Sequence, residues 1–229
     1  MHIDRKILFD LIMRRIDALR AKGRLPEEFD YDTVTFLLGK VVFLDPTRGC
    51  RIKGSPDDWK GLPDSKSLFK AAPGCGLPIE NLTSQLFSNI YLNELDQFVK
   101  RGLGFRHYGR YVDDFYILSE SRTALESAVP KVDEFLQSNL HLRLNSRKTA
   151  LLDAYRGVPF LGSVVAPSGK FLSARTLRRV RGKYLDALCY QSDPYAVAAV
   201  ENSCRGHLAH FSVKFTCGEK MPCKVLWGG

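Results

Sequence analysis

From Asp4 onward, Ile7, Leu8, Leu11, Ile12, Ile16 and Leu19 recur every three or four residues, with Arg14, Arg15, Arg20 and Lys22 between them and Gly23 as a stop. That period predicts an amphipathic helix N-capped by Asp4, whose carboxylate accepts from amides the helix leaves unpaired. Residues 33–44 are apolar almost throughout, too short a run for periodicity to separate helix from strand, and are expected in the core either way. Residues 45–77 are broken by nine prolines and glycines between Pro46 and Gly76 and read as a long loop. Its cations Arg48, Arg51, Lys53, Lys60, Lys66 and Lys70 either track a phosphate backbone or stay solvated. Beyond Gly76 a turn passes into a helix whose apolar positions are Leu82, Leu86, Ile90, Leu95, Phe98 and Val99. Asn81, Thr83 and Ser84 at its start are capping residue types, or the helix N-terminus faces a phosphate or a base.

Arg110-Tyr-Val-Asp-Asp-Phe-Tyr-Ile-Leu118 is rich in aromatic and β-branched residues and predicts two short strands, with the paired acids at a hairpin turn. Leu125, Val129, Val132, Phe135 and Leu136 then mark a helix from about Arg122 to Asn139, with Ser121 as cap and Pro130 as a kink candidate. Pro167-Ser-Gly-Lys170 supplies a turn between strands. From Ser173, Leu177, Val180, Tyr184, Leu185 and Leu188 form an apolar stripe, and Arg175, Arg178, Arg179, Arg181 and Lys183 occupy the other faces. A second helix is expected from Pro194 to Phe211, and Cys217–Gly229 shows no pattern.

The 229 residues allow one or two domains with a core, at 45% hydrophobic content. Thirty-four Lys and Arg against 25 Asp and Glu give a charge of +9, which favours a polyanionic partner. No apolar run reaches the roughly 18 residues of a membrane span, and the first residues lack a signal-peptide core, so a cytosolic protein is expected. Six cysteines without Cys-x-x-Cys spacing argue against zinc and for reduced thiols.

Adjacent Asp113 and Asp114 interrupt an apolar run, and a turn, unlike an extended strand, can aim both carboxylates at one cation. Mg²⁺ suits them, because it takes one or two carboxylates together with phosphates and water.

Tyr111-Val-Asp-Asp114 resembles the Tyr-x-Asp-Asp signature of reverse transcriptases. Gly76-Leu-Pro-Ile-Glu-Asn-Leu-Thr-Ser-Gln85 resembles the variant motif of the diversity-generating retroelement group, with Ile79 and Gln85 at the distinguishing positions and Glu80 where that group has Gly. Lys66-Ser-Leu-Phe69 and Asn89-Ile-Tyr-Leu-Asn-Glu-Leu-Asp96 are similar to the same group. His141-Leu-Arg-Leu-Asn-Ser-Arg-Lys-Thr149 and Gly157-Val-Pro-Phe-Leu-Gly162 resemble the two following polymerase motifs. The resemblance covers about residues 1–212.

It implies an α+β polymerase right hand: a palm of antiparallel sheet packed on helices over 1–172, with remnant fingers in the loop-rich 23–77, and a helical, basic thumb over 173–229. The fingers would be largely missing. Asp113 would be the main ligand of two Mg²⁺ ions and Asp114 a supporting acid, while Lys148 would lie near the leaving pyrophosphate. Tyr111 and Val112 would floor the primer terminus. Pro78, Ile79, Asn81, Ser84 and Gln85 would face nucleotide or template, and Phe160, Leu161 and Gly162 with the five cations of 175–183 would hold primer and duplex. Gly162 either admits a nucleic-acid backbone or eases a bend. The implied partners are an RNA template, a DNA primer strand, dNTPs and a basic accessory protein, in a bacterial or phage-encoded cytoplasmic system. Met1-His-Ile-Asp-Arg-Lys-Ile-Leu8 resembles the tail of the segment that carries a third carboxylate, so the chain is expected to begin just after that Asp and to show little polymerase activity alone. The alternatives are a retron or group II intron type enzyme, or a non-catalytic nucleic-acid-binding remnant.

Overall fold

The computed structural model describes residues 3–51, 54–55, 57, 60–63, 67–78, 81–191, 193–206, 209 and 211, together with the backbone of 207–208 and 224–228. Ile79, Glu80, Lys53 and Lys66 lie outside the described residues. In chain order the elements are helices α1 (Arg5–Ala21), α2 (Tyr31–Val42) and α3 (Leu82–Gln97), strands β1 (His107–Tyr111) and β2 (Asp114–Ser119), and helix α4 (Arg122–Leu140). Strands β3 (Ala150–Asp153), β4 (Val158–Phe160), β5 (Ser163–Ala166) and β6 (Gly169–Leu172) follow, then helices α5 (Ala174–Tyr190) and α6 (Pro194–Leu208) and strand β7 (Lys224–Gly228). Among the described residues no helix is long and apolar enough to cross a membrane.

Two compact units share these elements. One comprises Met1–Phe115, Ser127–Thr149 and Gly228–Gly229, and the other Tyr116–Glu126 and Ala150–Trp227. The first unit buries Leu8 and Leu11 of α1, Phe87, Tyr91, Leu92 and Leu95 of α3, and Val132, Leu136 and Leu140 of α4. Tyr91 donates its hydroxyl to the Leu140 carbonyl at 2.7 Å, so the one polar atom of this fully enclosed side chain is satisfied. Asp4 caps α1 as predicted, accepting from the amides of Lys6 and Ile7. Burial opposes its charge, yet those two amides and His141 Nδ1 at 3.0 Å hold the carboxyl below its ordinary range. Behind it, Arg5 is buried and donates to the Gly76 carbonyl at 2.8 Å, while the Gly76 amide donates to Ile3. Gly76 has φ +89, and a Cβ there would stand 2.6 Å from Leu68 Cδ2. The positive φ reserves the position for glycine, and a larger residue would also have to displace the Leu68 methyl.

In the second unit the rest of β2 neighbours β7, and β7 pairs antiparallel with β3, Ala150 opposite Trp227 and Asp153 opposite Lys224. A three-stranded antiparallel sheet β4-β5-β6 stands beside it in the chain, Val158 opposite Val165 and Ser163 opposite Leu172. The start of α5 is tied to this sheet: Ser173 caps the Thr176 amide, and the Thr176 hydroxyl donates to the Gly162 carbonyl at 2.7 Å. The sheet and α5 fall in one compact unit.

Three expectations about burial are corrected. Residues 33–42 form helix and Phe43 and Leu44 follow it, but of the large apolar side chains in 33–44 only Val42 is buried, while Phe36 (62% exposed), Leu37, Val41, Phe43 and Leu44 are exposed. A helix apolar on every side can pack only one of them, and here the pairing is with α1 through the Phe9 and Phe43 rings. In α3 the buried face is Ser84, Phe87, Tyr91, Leu92 and Leu95, rotated from the predicted stripe, so Leu82 (80% exposed) and Leu86 point outward. In α5 the interior residues are Thr176 and Ala187, and Leu177, Leu185 and Leu188 are exposed. Where small residues meet the neighbouring element, the larger leucines next to them are displaced from the contact. Finally, the stretch read as patternless contains β7.

Candidate active site

Two residues, Val112 and Asp113, join β1 to β2, so Tyr111 closes one strand and Asp114 opens the next. This is the hairpin that the aromatic and β-branched residues on either side of the paired acids predict. Phe115 and Ile117 are buried and anchor β2, leaving Tyr111, Val112 and Asp113 exposed and Asp114 half-buried. Val112 has φ +56, and Asp113 is not in the positive range. A positive φ at the first central residue alone marks a type II′ turn, a position glycine usually fills. A β-branched residue there costs about 1–3 kcal/mol, so something must hold it.

Arg110 is that group. Its Nη1 donates to the Val112 carbonyl at 2.7 Å and to Asn89 Oδ1 at 3.2 Å, while Nε and Nη2 meet the two Asp96 oxygens, each at 2.7 Å. The Tyr108 hydroxyl adds a 2.6 Å bond to Asp96 Oδ1. The Arg110 side chain is 9% exposed and that of Asp96 19%. Burial works against the Arg110 charge and Asp96 more than offsets it, and burial followed by the bond to Asp96 pushes the Tyr108 hydroxyl far up. Asn89 and Asp96 stand seven residues apart on one face of α3, and Tyr108 and Arg110 two apart on one face of β1. That pairing of a helical with a strand period was available in the sequence, but no role was read from it.

Asp114 lies above the ordinary carboxylate range, first through burial and second through the Asp113 charge, with Lys148 pulling the other way. The two acids and Lys148 thus share one electrostatic neighbourhood. Lys148 is exposed and sits on a loop built by two polar anchors: Asp133 accepts from the Leu144 amide at 2.9 Å, and the Asn145 carbonyl accepts from the amides of Lys148 and Thr149. A carboxyl raised on folding carries no penalty below about pH 4, where it is protonated folded or unfolded, and gains one as pH climbs through that range. With chelator present, Asp114→Asn is therefore expected to raise the melting temperature at pH 7 and to change it little at pH 3.5, as thermal melts at the two pH values would show.

Of the template-side candidates, Pro78 is half-buried and Gln85 is exposed on α3. Asn81 spends its side-chain oxygen on the Thr83 amide and hydroxyl, so it is a cap, and Ser84 is buried in the helix interior face. In the second unit Leu161 (φ +48) and Gly162 (φ +77) make the two-residue turn between Phe160 and Ser163, a left-handed pair of the type I′ kind. Gly162 lies in this bend, and its φ is one glycine adopts without strain. Arg175, Arg178, Arg179, Arg181 and Lys183 are all exposed on α5, and none forms an ion pair among the described residues.

Asp113 and Asp114 place two carboxylates at one turn, one of them destabilised as an anion first by burial and then by its neighbour, and carboxylate oxygens are donors that suit a hard divalent cation. Among the described residues no cluster of three or more His, Cys, Asp or Glu occurs, so the pair would share such an ion with substrate phosphates and water.

Residues 70–165 match the family model for reverse transcriptase (RNA-dependent DNA polymerase). The matched segment runs from the loop before α3 through the acidic hairpin and Lys148 into β5, and ends before α5. Mixed helices and antiparallel strands are compatible with an α+β fold of that kind. A comparison with curated proteins gives no match.

Proposed function

We propose that this chain is an RNA-directed DNA polymerase of the diversity-generating retroelement type, with Asp113 and Asp114 at the reacting end of the primer. One observation carries the proposal: the reverse transcriptase match brackets a strained hairpin that presents two adjacent carboxylates beside a lysine. Mg²⁺ held by Asp113, with Asp114 in support, would activate the primer 3′-hydroxyl and neutralise charge on the leaving pyrophosphate. Lys148, an exposed ammonium on a loop fixed by Asn145, would meet that pyrophosphate. Tyr111 and Val112, exposed beside the acids, would form the floor under the primer terminus. Pro78, Ile79 and Gln85 would face nucleotide and template, and the Gly76–Gln85 motif supports the subgroup. Phe160, Leu161 and Gly162 would support the primer strand. The helices from residue 173 would act as a thumb on the duplex. The test is extension of a DNA primer on an RNA template with Mg²⁺. It would use this chain and a version carrying an N-terminal Asp-Ile/Val-x-x-Phe/Tyr-Phe strand, with cDNA sequencing for errors opposite adenine. Failure of both versions to extend the primer would sink the polymerase reading.

The exposed cations of α5, without an ion pair among the described residues, also favour duplex binding independent of catalysis. Each phosphate contact made by a cation steepens the dependence of log K on log salt by about one. Arg178→Ala combined with Arg179→Ala should weaken binding to an RNA–DNA duplex and lower that slope by about two, measured by fluorescence anisotropy between about 50 and 200 mM salt. An unchanged slope would remove α5 from the interface.

A further inference from the structure

We infer that Arg110 is a positioning residue for the acidic hairpin: its guanidinium locks Val112 in a left-handed conformation against α3 and so fixes the direction in which Asp113 and Asp114 point. The inference rests on the proposed role of the two acids, and it extends that role to a group that touches neither substrate nor metal.

The geometry supports it in three steps. Val112 is β-branched and has φ +56, a backbone state it would leave if the turn were free. The carbonyl that fixes the orientation of the following peptide accepts from Arg110 Nη1 at 2.7 Å, and Asp113 is the residue on the other side of that peptide. The same guanidinium is itself immobilised, with Asp96 gripping it through both carboxylate oxygens, Asn89 accepting from Nη1, and Tyr108 completing the Asp96 oxygen. Four donations run from one planar group, three to α3 and one to the turn. An arginine used only as a buried counter-charge for Asp96 would not need the Val112 bond, and one used only as a turn anchor would not need a bidentate partner.

The consequence concerns both sides of the reaction. Gln85, a template-side candidate, and the clamp residues Asn89 and Asp96 lie on the same helix, α3. With the clamp closed, the helix bearing the template-side group and the turn bearing the acids form one rigid piece within the first unit.

Lysine at position 110 keeps the charge but lacks the planar fork, so it can serve Asp96 or the Val112 carbonyl and not both. Glycine at position 112 adopts positive φ freely and would not need the lock. The experiment uses the whole chain and compares R110K, the double variant R110K/V112G and D113N. It reads amide hydrogen exchange by NMR and Mn²⁺ affinity by electron paramagnetic resonance. R110K should speed exchange at the Asp114 amide, the first of β2, by about tenfold, the scale set by one unfavourable left-handed residue, while amides at Val132 and Leu136 keep their protection. Mn²⁺ affinity should fall in parallel and be largely restored in R110K/V112G. Unchanged exchange at the turn, an equal rise at Val132 and Leu136, or no restoration by V112G would each overturn the inference. D113N separates the two ideas: if it leaves Mn²⁺ binding intact, the metal reading of the acids fails, while the exchange data still decide the role of Arg110.

Discussion

Asp113→Asn should lower nucleotide addition by about a thousandfold or more in the version carrying the added Asp strand, equivalent to about 4 kcal/mol of transition-state stabilisation. Asparagine keeps the size of the side chain and one acceptor oxygen but loses the negative charge, which is the property a divalent cation requires. Position 113 is exposed on the turn and forms no described hydrogen bond, so the change should leave the fold intact. Primer extension at saturating dNTP, together with Mn²⁺ titration of the same variant, checks it. Near-normal extension by the Asn variant would show that the carboxylate at 113 is not in the chemistry.

The largest effect on stability is expected at Arg110 and Asp96. Removing one partner of a buried ion pair strands the other charge away from water and costs about 3–5 kcal/mol. Asp96→Leu or Arg110→Met should each lose that amount, a fall of about 6–20 °C in melting temperature for a chain of this size. The double variant should recover much of it, because two apolar groups in that space leave no unpaired charge. Urea titration of the four proteins measures the coupling directly. Additive losses would mean that the pair contributes little despite its bidentate geometry.

What the sequence made legible follows from the range over which each signal acts. The Asp4 cap, the Ser121 cap and the acidic turn are local, set by a few adjacent residues, and all three stand where they were predicted. Which face of a helix is buried is a property of the neighbour as much as of the helix. Ser84 in place of Leu82, and Thr176 in place of Leu177, could not be read without knowing what packs there. The Arg110 clamp was missed for the same reason: its partners are 14 and 21 residues away, and only pairing helix and strand periods brings them together. Asn81 reads in the sequence as cap or ligand, and in the fold its side-chain oxygen caps the helix through the Thr83 amide and hydroxyl.

Because β2 and α4 each begin in one compact unit and continue into the other, the chain passes between the units several times before residue 150. No single cut in the gene yields either unit whole. A fragment starting at Ser173 would carry the basic helix without the strands that hold its first turn. To study duplex binding apart from catalysis, point substitutions in the intact polypeptide are the sound route, and deletion is not.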